Sequence, residues 1–154
     1  MSDRISEHVS FKEGIKSHTA TRLNIDNAPS DLDLVNMKII AEKVFEPLRE
    51  FVGGPIAINS FYRSPKLNSA IGGSTSSQHC SGRALDIDDK YGYKTNAEMF
   101  KYIQCNLDYD QMIWEFGDVN NPDWVHVSYV SEDVNRRRCL IAYKENGKTK
   151  YKVI

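Results

Sequence analysis

Ser77-Gln78-His79-Cys80-Ser81-Gly82-Arg83-Ala84-Leu85-Asp86 is the stretch on which the reading of this chain turns. His79 ends a run of small polar residues, 74–78, that reads as a loop. Alternation over 83–87 predicts a strand carrying Asp86, and Gly82 permits a tight turn between the two. An imidazole and a carboxylate can thereby be aimed at one point. Three other histidines are present, His8, His18 and His126. His126 lies in a second alternating segment, 124–130, with Val125, Val127 and Tyr129 on one face and Trp124 and Ser128 beside His126 on the other. Two imidazoles and one carboxylate form a usual catalytic zinc set, with water in the open fourth position. A lone histidine on a strand is more often structural than a ligand, so spacing by itself leaves both readings of His126 open. His8 and His18 read as surface or packing residues.

Working outward, Ser10-Phe11-Lys12-Glu13 is a capping box and predicts a short helix, followed by a turn-rich stretch through Asn24, Asn27 and Pro29. Leu32, Val35, Ile39, Ile40, Val44, Leu48 and Phe51 recur at three and four residues, as one buried helix face should. Pro47 inside that pattern predicts a kink or an early end, and Gly53-Gly54 a stop. Residues 55–62 read as a strand, with Ile56 and Ile58 on one face, and 65–71 as a short helix closed by Gly72-Gly73. Thr95-Asn96-Ala97-Glu98 is a second capping box, opening a helix to about Leu107. Strands are expected over 110–116 and 124–130 around a turn at 117–122. Asn146-Gly147 is a hairpin signal between 140–143 and 151–154. Helices mixed with antiparallel strands, without a regular βαβ rhythm, give an α+β class. The 154 residues fit a single domain, 1–154.

The formal net charge of -1 gives no global pull toward nucleic acid or an anionic membrane, so neither is an expected partner. A monomer is expected. The run Arg136-Arg137-Arg138 reads as a solvated loop or strand edge. Cys80, Cys105 and Cys139 are odd in number, widely spaced and without a Cys-x-x-Cys. That argues against a disulfide framework and a thiolate zinc site, and suits a reducing compartment. Cys80, next to His79, reads as a small apolar filler. The segment from Met1 to His8 has no apolar signal core, so the expectation is cytoplasmic synthesis.

Ser77-x-His79-x-x-Gly82-x-Ala84-x-Asp86 resembles the signature of the zinc D-Ala-D-Ala carboxypeptidase family, whose fold is shared with hedgehog signalling domains. Other segments agree in order: Phe61-Tyr62-Arg63-Ser64-Pro65 resembles the family's arginine segment, and Leu67-Asn68-x-x-Ile71-Gly72-Gly73 the following helix and turn. Trp124-Val125-His126-Val127-Ser128 resembles the segment bearing the last zinc ligand. Where the family often reads Ser-Gly-Tyr-Arg, this chain has Ser60-Phe61-Tyr62-Arg63. The similarity runs over about residues 8–130. It implies a hedgehog/DD-peptidase-like fold, a central antiparallel sheet with flanking helices. It implies Zn2+ on His79, Asp86 and His126, Arg63 as a substrate-binding or transition-state cation, and Ser77 as a substrate contact.

Such a metal site needs a carboxylate to take a proton from water and pass it to the leaving amine. Asp123 stands three residues before His126, as in some family members, but on a regular strand that offset points to the opposite face. Glu115 ends the preceding strand, and a hairpin across 116–125 would set it directly opposite His126. Glu115 is preferred, and a bulge at Pro122-Asp123 would reverse the choice. Asp88 and Ser128 share face parity with Asp86 and His126, respectively. The expected function is hydrolysis of a peptide bond in peptidoglycan stem peptide, as in a phage-type endolysin reaching the wall through a holin lesion or a virion, or equally in a chromosomally encoded bacterial relative. The alternative is a zinc-binding structural or binding module of the same fold without turnover, and a further one a soluble domain with no metal.

Overall fold

Strands with apolar residues on alternate positions build a sheet with two unlike faces, and that difference places the site. The computed structural model describes residues 3–154; Met1 and Ser2, which head the N-terminal stretch read above, lie outside the described residues. The elements run β1 (Arg4–Ser6), β2 (Val9–Ser10), α1 (Phe11–Ile15), α2 (His18–Leu23), α3 (Asp31–Ile40), α4 (Glu46–Val52), β3 (Ala57–Ser60), α5 (Pro65–Ala70), β4 (Ala84–Asp88), α6 (Asn96–Asn106), β5 (Gln111–Glu115), β6 (Trp124–Ser128), β7 (Arg138–Glu145) and β8 (Lys148–Val153). The class is mixed α+β. A six-stranded sheet in the order β3-β4-β6-β5-β7-β8 forms its centre.

On one face Leu85, Ile87, Met112, Val125 and Val127 join Met37, Ile40, Val44, Phe45, Leu48, Met99 and Ile103 from the helices in one core. On the other face Asp86, His126, Ile113 and Leu140 lie in one row across β4, β6, β5 and β7. Trp124, Glu115, Ala142 and Tyr151 form the next row. No helix among the described residues is long and apolar enough to cross a membrane.

The expectation of an antiparallel sheet is corrected at one pair: β5 and β7 are parallel. The chain leaves β6 at the level where β5 begins. The Arg137 and Arg138 amides then donate to the carbonyls of Tyr109 and Asp110, so β7 must start beside the start of β5 and run with it.

The long helix also departs from its expected stripe. Residues Ala41–Phe45 form a π turn, and α4 resumes with Pro47 in its first turn. Pro47 lacks an amide hydrogen and crowds the carbonyl four residues back, and a wider turn absorbs both problems. The extra residue shifts the helical phase, so a single 3.6-residue stripe cannot hold from 32 to 51. Leu32 and Val35 are therefore 68% and 51% exposed, while Met37, Ala41 and Val52 join the core. Phe51 stacks on Tyr102 with centroids 4.1 Å apart.

The capping boxes at Ser10 and Thr95 form as expected. Asn146 and Gly147 have φ of 52° and 76°, the pair of positive values that a two-residue hairpin turn needs. Helix α2 and the β1–β2 pair went unread because segments of two to six residues are too short to show a period.

Candidate metal centre

Ser77 caps a 3-10 turn, Gln78–Ser81, by accepting a hydrogen bond from the His79 amide at 3.3 Å. Gly82 closes the turn at φ +73°, and a Cβ there would meet the Asp33 carbonyl oxygen at 2.5 Å. Gly82→Ala is therefore expected to destabilise the fold by about 1–3 kcal/mol, measured by denaturant unfolding. The turn buries His79 to 1% exposure. The His79 Nδ1 lies 2.7 Å from the Phe61 carbonyl oxygen, an acceptor, so Nδ1 carries the proton and Nε2 the lone pair. Burial pushes the His79 imidazole below its ordinary pKa, which favours this neutral form.

Nε2 is then a buried nitrogen with no hydrogen-bond partner. It lies 3.3 Å from Asp86 Oδ2. A lone pair facing a carboxylate is unfavourable unless a cation stands between them. On the other side His126, paired with Asp86 across β4 and β6, brings Nδ1 to 2.9 Å from Asp86 Oδ1. The two imidazole rings are 5.2 Å apart at 67°. Donor atoms of His79, Asp86 and His126 lie within 4.8 Å of one another. Burial alone would raise the Asp86 carboxyl; whenever the His79 and His126 rings are protonated they outweigh it and hold the carboxyl well below the usual carboxylate range. The donor set and the orphaned nitrogen fit a metal ion with mixed nitrogen and oxygen ligands. Glu7, His8 and Glu46 also come together, but there Glu46 already accepts from Ser6, the His8 amide and the His8 ring, which makes it a clasp between β1 and α4.

Above the three ligand candidates opens a cleft of about 1060 Å³, lined among others by Arg63, Ser77, Glu115, Trp124 and Tyr151. Arg63 donates from Nε to Ser60 Oγ (3.2 Å) and from Nη1 to Asn68 Oδ1 (3.2 Å), and its Nη2 lies 3.6 Å from Asp86 Oδ2. Asn68 is itself fixed by donating to the Ser74 carbonyl at 2.7 Å. A Cβ on Gly73 would sit 2.1 Å from Asn68 Oδ1, which explains the small residue after Gly72.

Glu115 lines the cleft, but the expected register is corrected by two residues: Glu115 pairs with Trp124, and Ile113 faces His126. The Asp123 amide already donates to the Glu115 carbonyl at 2.9 Å, so the connecting loop ends sooner than assumed. A shift of two keeps Glu115 on the His126 face, one diagonal away. Burial raises its carboxyl; His126 offsets part of this and Asp86 adds to it, for a pKa of about 7.

Asp123 is not brought to this cleft. No bulge interrupts the β5–β6 ladder, and Asp123 lines a separate groove on the helical side with Phe100 and Trp114. Nor do Asp88 and Ser128 reach the ligands. Asp88 accepts from Asn96 (2.9 Å) and Asn59 (3.4 Å). The Ser128 hydroxyl accepts from the Gln111 amide at 3.0 Å and clasps β5 to β6.

Two features of the site went unread. The Phe61 carbonyl that orients His79 is backbone and has no residue signature. The triad of Gln78, Asp110 and Arg136 links residues up to 58 apart: Arg136 donates from Nε and Nη2 to the Asp110 carboxylate (3.0 and 2.8 Å), and Gln78 donates to it at 2.9 Å. The sequence model of the family described as Peptidase M15 matches residues 7–128. No curated protein matches the chain.

Proposed function

This chain belongs to the peptidase M15 family, and from that premise we propose that it is a zinc-dependent peptidase cleaving the stem peptide of bacterial cell wall. The observation that carries the metal is the buried, unpartnered Nε2 of His79 facing the Asp86 carboxylate. The order of segments around it, resembling the D-Ala-D-Ala carboxypeptidases, supports the substrate and a fold of the hedgehog/DD-peptidase kind. His79, Asp86 and His126 would hold the ion, and the Phe61 carbonyl keeps His79 in the tautomer that offers Nε2. Zinc bound there supplies a Lewis acid that acidifies water and polarises a carbonyl.

The side chains of the cleft do the rest. Glu115, once deprotonated, accepts the proton of the attacking water and returns it to the leaving amine. Its position in a half-dry cleft keeps its affinity for that proton near neutrality. Arg63, clamped by Ser60 and Asn68, presents Nη2 to the site and can stabilise developing negative charge on the attacked carbonyl. Ser77 is on the cleft rim beside His79, where it can contact substrate. An oriented base and an oriented cation support turnover over a metal-binding module without it. A phage-type setting would bring such an enzyme to the wall through a holin lesion or a virion.

The test is mass spectrometry of purified muropeptides after incubation with the protein. Hydrolysis should vanish on chelation and return with zinc. Cleavage indifferent to chelator would remove the metal from the account.

A further inference from the structure

The basic run Arg136-Arg137-Arg138 is not a uniformly solvated edge. Arg137 has φ +53°, which turns it away; its guanidinium lies 5.8 Å from the centroid of Tyr109 and donates to the Leu107 carbonyl at 3.3 Å. Arg136 is committed to Asp110 through two hydrogen bonds. Arg138 opens β7 beside Gln111 and lines the catalytic cleft. Among the described residues no carboxylate lies within ion-pair distance of it.

Arg63 cannot read a substrate carboxylate with both edges of its fork without losing contacts it already makes. Its Nε and Nη1 are held by Ser60 and Asn68, and its Nη2 faces Asp86, so neither edge of the fork is free for a bidentate carboxylate. Of the three arginines that line the cleft, only Arg138 is uncommitted.

Its place along the sheet follows from the register. Leu140 stands in the row of Ile113 and His126, and Arg138 is two residues nearer the strand start. That is about 7 Å along the strand and about 10 Å across two strand spacings from β6. An arginine side chain and one substrate residue together span that gap.

We infer that Arg138 is a specificity residue, reading a substrate carboxylate one residue from the scissile bond. It sits on the C-terminal hairpin, beyond the residues that the family model matches. The inference rests on the peptidase reading of this cleft. In a stem peptide such a carboxylate has two sources, the C-terminus of the terminal D-Ala and the α-carboxyl of γ-linked D-Glu.

The experiment uses the full chain, zinc-loaded, with Glu115→Gln to leave peptides uncut. Binding is measured for L-Ala-γ-D-Glu-L-Lys-D-Ala-D-Ala, for its C-terminal carboxamide and for its D-isoglutamine form. The acid should bind about tenfold more tightly than at least one amide, and the amide that loses affinity names the source of the carboxylate. Arg138→Ala should erase that preference, Arg138→Lys keep part of it, and Arg138→Glu reverse it. The preference should also shrink with added salt. Equal binding of all three peptides, or a preference that survives Arg138→Ala, would overturn the inference. If the wild-type protein binds with this preference yet cuts nothing, the peptidase reading fails and the carboxylate subsite stands.

Discussion

Asp86→Asn is expected to abolish zinc retention and peptide hydrolysis together while leaving the chain folded. Asp86 is the hub of the site, within 3.3 Å of His79 Nε2, 2.9 Å of His126 Nδ1 and 3.6 Å of Arg63 Nη2. The substitution keeps the shape and removes the anionic ligand. Changes to groups that only support a ligand weaken metal binding by about 10–100-fold, so losing a ligand should exceed about 100-fold. The acid limb of stability should change too. The Asp86 carboxyl is held below its unfolded value of 3.8, so its stabilisation is present above that pH and lost as pH falls further. Metal-free wild-type protein should therefore lose melting temperature more steeply than the variant below about pH 4. Elemental analysis and thermal unfolding read both effects. Zinc-dependent hydrolysis by the asparagine variant would refute the assignment of Asp86.

Glu115→Gln should lower kcat by about 10²–10⁴ while zinc stays bound. In the wild type the acid limb of the rate profile should fall at or below pH 7, because burial raises this carboxyl to about 7 and a nearby dication pulls it back down. The glutamine variant should lack that limb. Its metal-free form carries a further sign. The folded pKa of about 7 exceeds the ordinary 4.5, so the destabilisation is absent below pH 4.5 and complete above 7. Removing the carboxyl should therefore stabilise the metal-free protein at pH 8, by about 3 kcal/mol at most, and do nothing at pH 4. Full activity in this variant, with loss in Asp123→Asn, would transfer the base to Asp123 and contradict the cleft geometry.

Much of this was legible because some residue choices act locally. Ser10, Thr95 and Asn146-Gly147 fix helix starts and a hairpin turn through their own side chains and dihedrals. The juxtaposition of His79, Asp86 and His126 was legible through face parity and the ordered resemblance. What stayed hidden depends on backbone pairing across distance. The position of Glu115 turns on one amide, that of Asp123, reaching the Glu115 carbonyl. The parallel course of β7 depends on where a nine-residue return docks. The fates of Arg136, Arg137 and Arg138 diverge through a single positive φ and through Asp110, 26 residues away. The π turn before Pro47 could be foreseen as a disturbance, but not its phase shift.

The central claim is that His79, Asp86 and His126 form a metal site, and the zinc content of the purified chain tests it most directly. After zinc loading and exhaustive dialysis, elemental analysis should return close to one zinc per chain, as a three-ligand site with one open position holds a single ion. A content under roughly 0.2 per chain would contradict the account and leave the buried His79 nitrogen without its cation.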